Sequence, residues 1–130
     1  MSTKLTETRS CFKPFNYAWA YDSWLAHEQS HWLHTELSMA EDVKDWQRKL
    51  SSEEKAFLTN IFRFFTQGDI DVAGAYVDNY LPYFKQPEVR MMLCGFAARE
   101  ALHVAAYSHL IETLGMPEST YNEFLEYEAM

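Results

Sequence analysis

The chain has 130 residues, a formal charge of −8, 48% hydrophobic and 16% aromatic residues, and only four glycines and four prolines. That length supports one domain with its own core, and that composition excludes a disordered or low-complexity chain. An acidic chain with no basic cluster argues against nucleic-acid binding, and no apolar run approaches the roughly eighteen residues of a membrane span.

The polar start, MSTKLTETRS, lacks the apolar core of a secretory signal, so a cytoplasmic protein is expected. Residues 1–15 read as an irregular arm and 16–130 as helical, together a single partial domain. From Phe15 to His34 the pattern is that of a helix rich in aromatics, with Tyr17, Trp19, Tyr21, Trp24 and Trp32. A connection follows, with one short helix expected near Ala40–Arg48.

Ser51 and Glu54 fit the S-x-x-E capping box that opens a helix. Behind it Phe57, Leu58, Ile61, Phe62, Phe64, Phe65, Val72, Ala73 and Tyr76 recur at helical spacing, a pattern broad enough to predict burial on most sides. This helix is expected to stop near Pro82. Pro87 and Glu88 suit the first turn of the next one, which runs through Met91, Phe96, Leu102 and Leu110 to a stop at Gly115. A last helix is expected from near Pro117, with no terminating signal before Met130. No segment alternates with period two. The expectation is all-α, with two long helices of about eight turns packed antiparallel.

Glu100 and His103 are three residues apart and share one helix face. Glu-x-x-His on a bundle helix is the recurring unit of dimetal-carboxylate proteins, where facing helices donate further carboxylates. Alone the motif is weak, because the same spacing is common on solvated faces. Its apolar neighbours Phe96, Leu102 and Val104 strengthen it, since a buried carboxylate and imidazole need each other or a metal. Asp69, inside the other long helix, is a third candidate ligand, although Asp71 two residues on allows a simple wet face. Tyr107 lies one turn after His103 and is its neighbour, while His109 falls on another face.

His27-Glu28-Gln29-Ser30-His31 matches the H-E-x-x-H of zinc hydrolases, with Glu53 or Glu54 as an imaginable third ligand. No sheet precedes it for substrate docking, and a solvated helix face is the simpler reading. Cys11 and Cys94 lie far apart without CxxC spacing, so free thiols are expected.

Several motifs in order resemble the small, radical-generating subunit of class I ribonucleotide reductase, over about residues 14–130. They are His31-Trp32-Leu33, then Glu54-Lys55-Ala56-Phe57-Leu58-Thr59-Asn60, then Asp69, and then Glu100, His103, Tyr107 and His109 as E-x-x-H-x-x-x-Y-x-H. The resemblance implies a ferritin-like helical bundle. It implies Asp69 and His103 as terminal ligands of one metal, Glu100 as a bridge to a second, Tyr107 as the radical tyrosine and Trp32 as the start of radical transfer. It implies two iron ions as the cofactor, with manganese as the alternative, and the family's large subunit as the partner in deoxyribonucleotide synthesis. Asp69 with Tyr107 resembles the tyrosyl-radical members, whereas manganese–iron members resemble a glutamate-plus-phenylalanine pair.

The sequence departs from the family in having no second Glu-x-x-His. Glu112 is followed by Thr113, Leu114 and Gly115, and Glu118, Glu123, Glu126 and Glu128 have no His after them. The expectation is half of a dimetal site, inactive until a complementary carboxyl-terminal half or a second small subunit completes it. Two other readings compete: a ferritin-like metal protein that completes its site by homodimerisation, and the zinc hydrolase on His27 and His31.

Overall fold

A computed structural model describes residues 4–123, which form helices and connections with no strand among them. The helices are α1 (Ala18–Gln29), α2 (Ala40–Arg48), α3 (Ser52–Gly74), α4 (Pro87–Thr113) and the short α5 (Ser119–Asn122). A 3₁₀ turn occupies His34–Glu36, and a π-helical turn, Ala75–Tyr80, extends α3 toward Pro82. The expected run of the last helix beyond residue 123, including Glu126, Tyr127 and Glu128, lies outside the described residues.

The local signals for the long helices act as their chemistry requires. Ser51 Oγ accepts from Glu54 N at 3.2 Å, and Ser51 N donates to the Glu54 carboxylate at 2.8 Å. Two of the amides that open α3 are thereby satisfied reciprocally. At the end of α4, Met116 N donates to Ile111 O and Gly115 N to Glu112 O. This is a Schellman closure, and Gly115 takes the positive φ of 71° that it needs.

The aromatic helix is shorter than expected, at 12 residues instead of Phe15–His34. Tertiary partners cut both ends. The Glu88 carboxylate accepts from Asn16 N at 2.8 Å and Tyr17 N at 3.0 Å, which sets the start of α1. Arg99 takes the carbonyls of His27 and Ser30, at 2.8 and 3.1 Å, and so closes its end. His31, Trp32 and Leu33 therefore lie in an irregular connector, not on the helix.

The chain divides into two compact units: residues 1–32 with 71–101, and residues 33–70 with 102–130. The first has a core of Ala20, Val89, Met92 and Leu93, flanked by Leu5, Tyr17, Trp24, Tyr76, Leu81, Phe84 and Phe96. Beside it a buried polar cluster ties down the arm. Gln86 Nε2 donates to Glu7 O at 2.8 Å, and Glu88 pairs with Arg9 at 2.7 Å. In the second unit Ile111 is fully buried, Trp46 packs on Phe62, Arg63 pairs with Glu123, and Phe65 stacks on Tyr107.

Burial of α3 on most sides is not observed. Thr66 is its one buried residue, while Phe57, Phe64, Phe65, Ile70 and Val72 are 42–66% exposed. The apolar excess that suggested a surrounded helix instead faces outward. No described helix is long and apolar enough to cross a membrane.

Candidate metal centre

Asp69 lies on α3; Glu100, His103 and Tyr107 follow one another on α4. Glu100 precedes His103 by three residues on an unbroken helix, so the two share a face. One potential ligand atom from each of Asp69, Glu100 and His103 lies within 4.8 Å of the others. All three residues are half-buried, and among the described residues no other group of this kind is found.

Two carboxylates and an imidazole offer hard oxygen and borderline nitrogen donors, a set that suits iron or manganese. Donors sharing one ion at about 2.0–2.2 Å lie at most about 4.4 Å apart, so a small side-chain adjustment brings all three onto one ion. The residues fit a metal. Three ligands leave coordination positions open for further donors.

Antiparallel register builds the surroundings. On α3 Phe65 is one turn before Asp69, and on α4 Tyr107 is one turn after His103. The rings of Phe65 and Tyr107 meet at 5.8 Å between centroids with planes 3° apart. Burial first, and then the Asp69 carboxylate, push the Tyr107 phenol above its ordinary range. Both effects favour the neutral phenol. In the first unit Tyr76 packs edge-on against Phe96 at 6.0 Å. Burial, then Glu100, then Tyr80 raise its phenol likewise.

The other candidates are placed differently. Trp32 is half-buried in the connector after α1, and its radical-transfer role rests on the resemblance. His109 stands away from the ligand group, its ring 5.7 Å from that of His34. The zinc-hydrolase reading loses its geometry. That motif needs both histidines on one helical face, but α1 ends at Gln29 and leaves His31 outside. His27 Nε2 also accepts from Arg99 Nε at 3.3 Å, and its ring packs on Phe96. Cys11 and Cys94 are free and exposed.

Arg99 carries no role in the sequence pattern, and Glu88, legible there as a first-turn acid, gives no sign of its contacts with Arg9, Asn16 and Tyr17. A signal existed for Arg99: an arginine directly before Glu100, within an otherwise apolar stretch of helix, needs a partner.

Known proteins resemble this chain over nearly its whole length. The profile of the family described as "Ribonucleotide reductase, small chain" matches residues 9–130. The chain is 59% identical over 126 residues to the probable ribonucleoside-diphosphate reductase small subunit 376L of Invertebrate iridescent virus 6, covering 97% of this chain and 35% of that protein. It is 59% identical over 127 residues to the corresponding subunit 048L of Invertebrate iridescent virus 3, covering 98% of this chain and 34% of that protein. Against the ribonucleoside-diphosphate reductase subunit beta of Chlamydia pneumoniae it is 30% identical over 115 residues, covering 85% of this chain and 33% of that protein. The chain thus spans about a third of the length of the curated relatives it matches. With a family profile matched along nearly all of it, and an all-helical fold in keeping with the family's ferritin-like bundle, the chain belongs to the ribonucleotide reductase small-chain family.

Proposed function

We propose that this chain supplies the amino-terminal part of a reductase small subunit: one half of a dimetal site, together with the tyrosine that the site oxidises. The observation that carries the reading is the convergence of Asp69, Glu100 and His103 within 4.8 Å, one helical turn from Tyr107. Asp69 and His103 would hold one metal and Glu100 would reach toward a second. Bound as a pair, iron ions, with manganese as the alternative, would supply the oxidising power that turns the Tyr107 phenol into a phenoxyl radical. Tyr107 would give up its phenolic proton and one electron. Trp32 would carry the oxidising equivalent onward toward the large subunit, where ribonucleotides become deoxyribonucleotides for DNA synthesis in the cytoplasm.

The remaining ligands would come from the family's second Glu-x-x-His, whether it follows these helices in the same chain or lies on a complementary polypeptide, or from a second small subunit. The exposed aromatic surface of α3 supports that need for a partner. The test is electron paramagnetic resonance of the chain co-expressed with the remaining helices of a viral relative, loaded with ferrous iron without oxygen and then exposed to it. A tyrosyl signal that Tyr107→Phe abolishes is expected. A signal that survives this substitution, or none from a metal-loaded complex, overturns the reading. Full metal occupancy in a dimer of this chain alone would favour site completion by homodimerisation.

A further inference from the structure

The Phe65 ring lies parallel to that of Tyr107 yet is 45% exposed, so core filling does not account for its place. A second aromatic fixes it. Phe64 meets Phe65 edge-on, with centroids 5.5 Å apart and planes at 81°. The backbone beneath is anchored as well, because the buried Thr66 donates its hydroxyl to Phe62 O at 2.7 Å. A ring oriented by its neighbour and by its helix is therefore laid along one face of Tyr107. Parallel planes at this separation are offset, an arrangement that aromatic pairs favour.

We propose that Phe65 is a positioning residue for Tyr107, holding the orientation of its ring and closing one face of it to reactants from solvent. The inference deepens the proposed function, since a long-lived phenoxyl needs both a fixed ring and shelter from reductants. The contact itself stands without any metal. Because the outer side of Phe65 is open, the ring acts as a cover at the boundary with water instead of as part of a sealed core.

The test uses the metal-free chain. Tyrosines are nitrated with tetranitromethane and the products mapped by peptide mass spectrometry, with the 69%-exposed Tyr83 as internal reference. Tyr107 should react more slowly than Tyr83. In Phe65→Ala its rate should rise roughly five-fold, the population change equivalent to losing an aromatic pair worth about 1 kcal/mol. Phe65→Trp, which keeps a flat ring, should leave Tyr107 slow, and Tyr17 and Tyr121 should not change in either variant. An unchanged Tyr107 rate in Phe65→Ala overturns the proposal. So does a rise shared by all tyrosines, which would make Phe65 a general packing residue.

A second readout applies to the complemented, metal-loaded protein. In Phe65→Ala the β-proton splitting of the radical should change, because it reports ring rotation, and a small hydrophilic reductant should quench the radical faster. If no radical forms but the nitration pattern holds, the fault lies with the proposed function and not with Phe65.

Discussion

The Glu88 carboxylate, with no exposed side-chain surface, grips the Arg9 guanidinium at 2.7 Å across 79 residues of sequence. Its other oxygen accepts the amides of Asn16 and Tyr17. One side chain thus holds the backbone that leads into α1, neutralises a largely buried arginine and ties the arm to the first turn of α4. Glu88→Ala leaves a cation and two amides without their acceptor, so a loss of about 3 kcal/mol is expected, measured from the urea midpoint.

Glu88 also fixes the sign of an acid response. Burial raises its pKa, but the hydrogen bonds from backbone amides and the charge of Arg9 outweigh it, and the group is held below its ordinary 4.5. A depressed carboxylate adds stability that is complete above the unfolded value and is lost as pH falls through the folded one. Native stability should therefore decline below about 4.5. Glu88→Gln should be less stable at neutral pH and show a flatter decline in acid, as read from urea titrations at a series of pH values.

The ligand assignment predicts a pattern of losses in metal affinity. Asp69→Ala and His103→Ala should each weaken ferrous or manganous binding by at least about ten-fold, since lost interactions even outside the ligand set cost that much. Glu100→Ala should do the same. His109→Ala, His27→Ala and His31→Ala should leave affinity unchanged, because none joins the group. Calorimetric titration under anaerobic conditions measures this, and loss of binding in His27→Ala alone would revive the zinc motif.

What was legible in the sequence is what neighbouring residues decide. Ser51 and Glu54 carry their own capping chemistry, Gly115 its own left-handed turn, and Ala40–Arg48 its own bounds. Glu100 and His103 share a face by helical repeat alone. Partners 69–72 residues away decided the bounds of α1. They are Glu88 and Arg99, and hydrophobic periodicity contains neither contact. The exposure of α3 was misread for a related reason. Apolar residues around a helix predict that something covers it, without saying that the cover is part of the same chain.

Arg99 makes a separable prediction. Its guanidinium closes the end of α1 through the carbonyls of His27 and Ser30 and the ring nitrogen of His27. Arg99→Met keeps much of the apolar stem and removes all three donors. Amides of Ser30 and His31 should exchange faster by about ten-fold, equivalent to about 1.4 kcal/mol of local opening, while those of α2 keep their protection. Hydrogen-exchange mass spectrometry resolves the two segments. Unchanged protection at Ser30 and His31 would show that the helix end does not depend on Arg99.

The outward aromatics of α3 predict self-association. Phe57 is 66% exposed and Phe64 55%, and two turns of helix separate them, so they stand on one side of it. An apolar face of this kind seeks cover, either from the complementary half proposed above or from another copy of the chain. In isolation the chain should sediment as a concentration-dependent mixture of associated species. The double variant Phe57→Glu with Phe64→Glu should sediment as a monomer and bind the complementary half more weakly. Its unfolding midpoint should move by no more than about 1 kcal/mol equivalent, because exposed positions far from the core contribute little to folding. A monomeric wild-type chain at every concentration would mean that this face needs no cover, and the expectation of a missing partner on α3 would fail with it.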